Sequence, residues 1–172
     1  MPTMPDPTTP IAPTALPEAS CTPEDAHHLR ATFAAARQAA QAGNMPFGAA
    51  LVKNGQMLWL AQNNQVTAAD CTGHAEVVLV REARRALGDQ VTVGATVYAS
   101  GEPCAMCAGA MFWAGISRVV YGATTPDIEA ALGDGPSLPP RCADVLAHCQ
   151  PAIEVRGPCL RGEALDALRR ET

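Results

Sequence analysis

Apolar residues in "HAEVVLVREARRALG" fall at Ala75, Leu79, Val80, Ala83 and Leu87, spacings of three and four that predict a helix over about 74–88. Arg81, Glu82, Arg84 and Arg85 then face water, and Gly88 ends the turn. Upstream, "CTPEDAHHLRATFAAARQAAQAG" predicts a first helix. Thr22 is placed to cap it, Pro23 suits the first helical position, Glu24 and Asp25 favour the positive end, and Gly43 stops it. Between these helices the period changes to that of strands. Asn54-Gly55 separates two apolar runs and predicts a tight hairpin with strands at about 47–53 and 56–62. "ATVYAS" (95–100) predicts a strand, 104–115 a helix and "SRVVYGA" (117–123) another strand, together a parallel crossover unit. Short helices at 127–132 and 141–148, a strand in "AIEVRG" and a closing helix in "LRGEALDALRR" complete an α/β layer architecture.

Composition narrows the possibilities. The chain of 172 residues is 48% hydrophobic, enough for one domain with a substantial core, which we place at 22–172. Residues 1–21 carry six prolines among Thr and Ala and predict a disordered arm. The net charge of −5 and the scatter of basic residues argue against a nucleic-acid partner. No apolar run reaches the roughly 18–20 residues needed to span a bilayer, and the start lacks a secretory pattern. Seven cysteines, an odd number, fit a reducing, cytoplasmic setting better than a disulfide framework.

Free thiols are available to bind metal, and "GEPCAMCAGAMFWAG" places Cys104 and Cys107 three apart at the head of a predicted helix. Alone, the pair reads equally as a redox couple or as packed sulfur. His74 and Glu76 at the start of the preceding helix change that reading. One imidazole and two thiolates form a sound Zn²⁺ ligand set with a fourth position open to water, and a neighbouring carboxylate would move the water's proton. Cys71 is the competing fourth ligand; its participation would close the site.

"HAE", 26 intervening residues and "PCAMC" together resemble the H-x-E…P-C-x-x-C signature of the zinc-dependent nucleobase and nucleoside deaminases, the cytidine/deoxycytidylate deaminase superfamily. The resemblance runs from about Pro46 to Ala123. It implies a three-layer α/β/α cytidine-deaminase-like fold with a mixed five-stranded sheet, and a homodimer or higher oligomer. It also implies zinc held by His74, Cys104 and Cys107, with Glu76 as proton shuttle and substrate contacts from Asn63, Phe47 and the Ala75 backbone. "AMCAGAMFWAGISRVVYGA" is similar to the purine-type branch, and Phe47 with the "FWAG" run, including Trp113, is closer to guanine deaminases than to tRNA adenosine deaminases. Guanine would need an acceptor for its amino group; Asp127, Glu129 and Asp134 are the options, with Asp134 nearest the expected place. Cys71 and Gly73 depart from the Pro and Ala usual in this branch. The rival readings are a tRNA adenosine deaminase, a deaminase of another aminated heterocycle or nucleoside, and an inert structural zinc module.

Overall fold

The computed structural model describes residues 18–133 and 135–169. Helix α1 (Pro23–Gln41) leads into strands β1 (Gly48–Lys53) and β2 (Gln56–Gln62), joined by a turn in which Asn54 and Gly55 both take positive φ (52° and 74°), as the hairpin signal requires. Helix α2 (Ala75–Leu87), strand β3 (Thr96–Gly101), helix α3 (Ala105–Trp113) and strand β4 (Arg118–Ala123) follow. Helices α4 (Thr125–Leu132) and α5 (Cys142–Leu146), strand β5 (Glu154–Arg156) and helix α6 (Arg161–Leu168) complete the chain.

The five strands form one mixed sheet in the order β2-β1-β3-β4-β5. β1 runs antiparallel to both its neighbours, while β3, β4 and β5 are parallel, as a strand–helix–strand crossover demands. Alternation along each strand builds two apolar layers. Ala49, Leu51, Val97 and Val119 face α2, α3 and α5. Ala50, Val52, Tyr98 and Val120 face α1 and α6. The three-layer α/β/α arrangement with a mixed five-stranded sheet is therefore the one expected.

Boundaries shift by a residue or two, and α4 begins at Thr125 rather than 127 because Thr124 caps it: its Oγ1 accepts from the Asp127 N–H at 3.3 Å, and Asp127 Oδ2 accepts from the Thr124 N–H at 3.0 Å. Of the arm expected over 1–21, residues 1–17 lie outside the described residues. Residues 18–21 are seated on the body. The Ala19 N–H donates to the Pro158 carbonyl at 2.8 Å, the Arg161 N–H donates to Glu18 at 3.1 Å, and Ala19 and Cys21 pack on the α1/α6 layer. That partial burial of small side chains explains the departure from an arm loose throughout.

Candidate metal centre and active site

Two helix starts converge at the carboxyl end of β3. His74 is the residue immediately before α2 and Cys104 the one before α3, both with extended backbone, so each projects its side chain from a helix N-terminus. Cys107 lies one turn further along α3 and is fully buried. His74 Nδ1 is 3.6 Å from the sulfur of Cys104 and 3.6 Å from that of Cys107, and the two sulfurs are 3.6 Å apart. Tetrahedral zinc, with bonds of about 2.3 Å to sulfur and about 2.05 Å to nitrogen, spaces its ligand atoms about 3.6–3.8 Å apart. The triangle fits that ion. Among the described residues, His74, Cys104 and Cys107 are the one group of such donors within 4.8 Å of one another. Cys71 is exposed and stands outside the group, so it does not close the site.

Glu76, in the first turn of α2, is buried and its Oε2 lies 3.3 Å from the Cys107 sulfur. The ion-free charges of this cluster follow from its crowding. The hydrogen bond from the Cys107 thiol, opposed by burial and helped by His74, holds the Cys104 thiol down at about 4. Its hydrogen bond to Cys104, with burial, pushes the Cys107 thiol up. The Cys104 sulfur raises His74, and burial raises the Glu76 carboxyl. A divalent cation reverses this pattern by favouring both thiolates and a neutral imidazole.

The loop leading to His74 is tied at several points. Asn63, at the end of β2, is buried; its Oδ1 accepts from the Gln65 N–H at 3.1 Å and its Nδ2 donates to Gln65 Oε1 at 2.9 Å. Gln65 reaches on to the Cys71 carbonyl at 3.3 Å. Asn44 accepts from the Val66 and Thr67 N–H groups at 3.0 and 3.1 Å, and Asp70 binds Thr72 and Arg81. Gly73 has a local cause. A Cβ there would lie 2.4 Å from Asn64 Oδ1, 2.9 Å from the Gln65 nitrogen and 3.0 Å from the Asp70 carbonyl, so the alanine usual in this branch does not fit.

The other expected contacts divide. Phe47 stands at the entry of β1, packed beside Gly101 on the strand that leads to Cys104, and Ala75 is buried at the first position of α2. Trp113 is not brought to the cluster. It ends α3, nine residues from Cys104 and so about 13 Å along the axis at ~1.5 Å per residue, and it is 82% exposed with Phe112 beside it. Asp127 and Glu129 are also engaged elsewhere: Asp127 caps α4 and pairs with Arg161, and Glu129 accepts from Ser137 at 2.9 Å on the surface. Asp134 lies outside the described residues.

Three residues beside the cluster have no obvious motif of their own. Glu102, two residues before Cys104, is buried and bound by Arg141, the residue preceding α5; Cys142, the first residue of α5, is buried against α3. The adjacency of Glu102 to Pro103-Cys104 was a signal for the first. Nothing local marks the other two.

The profile described as "Cytidine and deoxycytidylate deaminase zinc-binding region" matches residues 22–123. A probable cytosine deaminase of Schizosaccharomyces pombe is 34% identical over 148 residues, 83% of this chain and 88% of its own. The guanine deaminase of Bacillus subtilis is 43% identical over 86 residues, 50% of this chain and 55% of its own. A solved structure from work on A-to-I editing by tRNA:A34 deaminases superposes with a TM-score of 0.69 at 30% identity, covering 83% of this chain and 99% of that one.

Proposed function

The chain belongs to the cytidine and deoxycytidylate deaminase family and is a zinc-dependent hydrolytic deaminase, and on that premise we propose that its substrate is a free nucleobase, guanine, converted to xanthine and ammonia. One observation carries the chemistry: His74, Cys104 and Cys107 form a zinc-sized triangle with the Glu76 carboxylate 3.3 Å from one corner. Three protein ligands leave a tetrahedral position open, as in catalytic rather than structural sites. A structural module would have no use for Glu76.

His74, Cys104 and Cys107 would hold the ion, which when bound supplies Lewis acidity that makes water a competent nucleophile near neutral pH. Glu76 takes the proton of the attacking water. It passes that proton to the ring nitrogen beside the amino-bearing carbon, then takes the proton of the hydroxyl newly added to that carbon and hands it to the amino group, which leaves as ammonia. Burial favours a carboxyl that both accepts and returns protons. Asn63 keeps its amide in one orientation because the Gln65 N–H can only donate, which fixes Oδ1 toward it and leaves one Nδ2 hydrogen for an acceptor on the base. Phe47 supplies an apolar wall, and the first-turn amide of Ala75, without an intrahelical partner, a donor. With Asp127 and Glu129 committed, Asp134 is the acid we assign to the base's amino group.

Guanine is supported by the 43% identity with the guanine deaminase over the stretch it shares with this chain. A cytosine reading is favoured by a different observation, the longer match to the probable cytosine deaminase. The net charge of −5 disfavours a tRNA substrate. No helix of the described residues is long and apolar enough to cross a membrane. The seven cysteines support a reducing, cytoplasmic setting and the family resemblance a homodimer, and both belong to the proposal. Incubating zinc-loaded protein with guanine, guanosine, adenine, cytosine, cytidine and ammeline and measuring released ammonia tests the assignment. Ammonia from guanine is the expected result. Ammonia from cytosine alone moves the assignment to the second reading, and silence across the panel overturns the free-base proposal.

A further inference from the structure

The chemistry above makes no use of Glu102, yet it is the hub of the region beside the metal ligands. Its side chain is 1% exposed. A carboxylate so buried is tolerated only when paired and hydrogen-bonded. Arg141 donates to it through Nη2 and through Nε, which lies 3.0 and 3.1 Å from the two oxygens. Thr125 donates its N–H at 2.9 Å and its hydroxyl at 3.1 Å. Three segments distant in sequence therefore meet on one side chain. They are the loop carrying Cys104 from β3 into α3, the first residue of α4, and the residue that precedes α5.

Two of those segments, the Cys104 loop and α5, have further anchors. The Glu102 N–H donates to the Ala123 carbonyl at 2.7 Å, holding the loop to the end of β4. Arg141 caps α5, where its own N–H donates to Asp144 at 3.1 Å, and α5 buries Cys142 and Leu146 in the layer that contains Ala108 and Met111 of α3. Loss of the guanidinium would leave a buried charge with only the Thr125 donors. Relief would come from movement of the loop, and Cys104 is two residues along it.

We propose that Arg141, acting through Glu102, is a positioning residue for the metal centre. The pair holds the Cys104 loop so that the thiolates converge, and it makes the segment beyond α4 part of what retains zinc. The proposal rests on the zinc reading above but not on the identity of the substrate, so its readout is the metal itself. The rate of zinc loss from the full chain to an excess of a chromophoric chelator would be measured well below the unfolding temperature. Arg141→Met keeps the apolar stem and removes the charge; it should shed zinc about tenfold faster, at the low end for residues supporting metal ligands. Arg141→Lys should recover part of the difference.

Arg161→Met breaks the Asp127–Arg161 ion pair between α4 and α6, and serves as the control for general loosening. It should lose thermal stability yet release zinc at the wild-type rate. Zinc loss from Arg141→Met within twofold of wild type overturns the proposal, as does equal acceleration in Arg161→Met. If Arg141→Met does not fold, Thr125→Val, which removes only the hydroxyl donor, takes its place: acceleration of two- to threefold supports the role, and an unchanged rate rejects it. A wild-type chain that binds no zinc would defeat the metal reading itself, whereas normal binding with unchanged release rates defeats only the pair.

Discussion

Glu76 illustrates how one side chain acquires a role from its neighbours. On a solvated helix it would be an ordinary first-turn acid favoured by the dipole. Here burial gives it the basicity, and its place beside the Cys107 sulfur the position, to move protons. Glu76→Gln removes the shuttle while keeping the size and much of the hydrogen bonding. The expected outcome is a 10²- to 10⁴-fold fall in kcat, the range for a general acid–base group, with about one zinc per chain retained by metal analysis. The same residue explains why the metal centre was legible in the sequence. Both pairs of functional groups, His74 with Glu76 and Cys104 with Cys107, are local in the chain and sit at helix starts that the apolar period already marked. The Glu102–Arg141 pair was not legible, because it joins residues 39 apart and neither the spacing nor the residue types announce the contact. Trp113 stands apart from the cluster for a related reason: an aromatic in the same helix as two ligands need not share their end of it.

At the scale of elements, the fold uses one device twice. Thr22 with Asp25 caps α1 and Thr124 with Asp127 caps α4, each with a proline in the first turn. In both cases the aspartate also binds an arginine from elsewhere, Arg118 of β4 for Asp25 and Arg161 of α6 for Asp127. The first capping box was legible as a helix start; the second was read two residues late because the surrounding Gly- and Pro-rich segment obscured it. Burial by itself would raise the Asp25 carboxyl, but Arg118, the Thr22 amide and hydroxyl, and the Tyr98 hydroxyl outweigh it and hold the group at about 2. A folded-state pKa below the unfolded value stabilises the protein above the unfolded value, near 3.8, and that contribution is lost as pH falls toward about 2. The depression corresponds to roughly 2 kcal/mol. Asp25→Asn should therefore be less stable than wild type by about that amount at pH 7, and the two should converge near pH 2. Denaturant unfolding across that range measures both; parallel curves would remove the network from the account of acid stability.

At the scale of the whole molecule, α3 carries an apolar outer stripe that neither the core nor the active site uses. Along α3, Met106 and Ala110 are half-buried, a Cβ on Gly109 would meet nothing within 4 Å, and Trp113 is 82% exposed. These positions recur at three and four and lie on one side of a helix whose other side carries Cys107, Ala108 and Met111 into the core. Exposed Trp on such a stripe is what contact with a second copy would bury, since aromatic anchors dominate interfaces. The same helix thus has a ligand end, a core face and an outer face, and the homodimer proposed above would bury the last. Trp113→Arg should leave the fold and zinc content intact, because the side chain touches little beyond Phe112, while placing a charge at the centre of the proposed contact. Light scattering after size exclusion should then report twice the chain mass for wild type and the single-chain mass for the variant. Dimers from both would clear α3 of this role and return Trp113 to the surface as a residue without one, and a wild-type monomer would overturn the proposed homodimer.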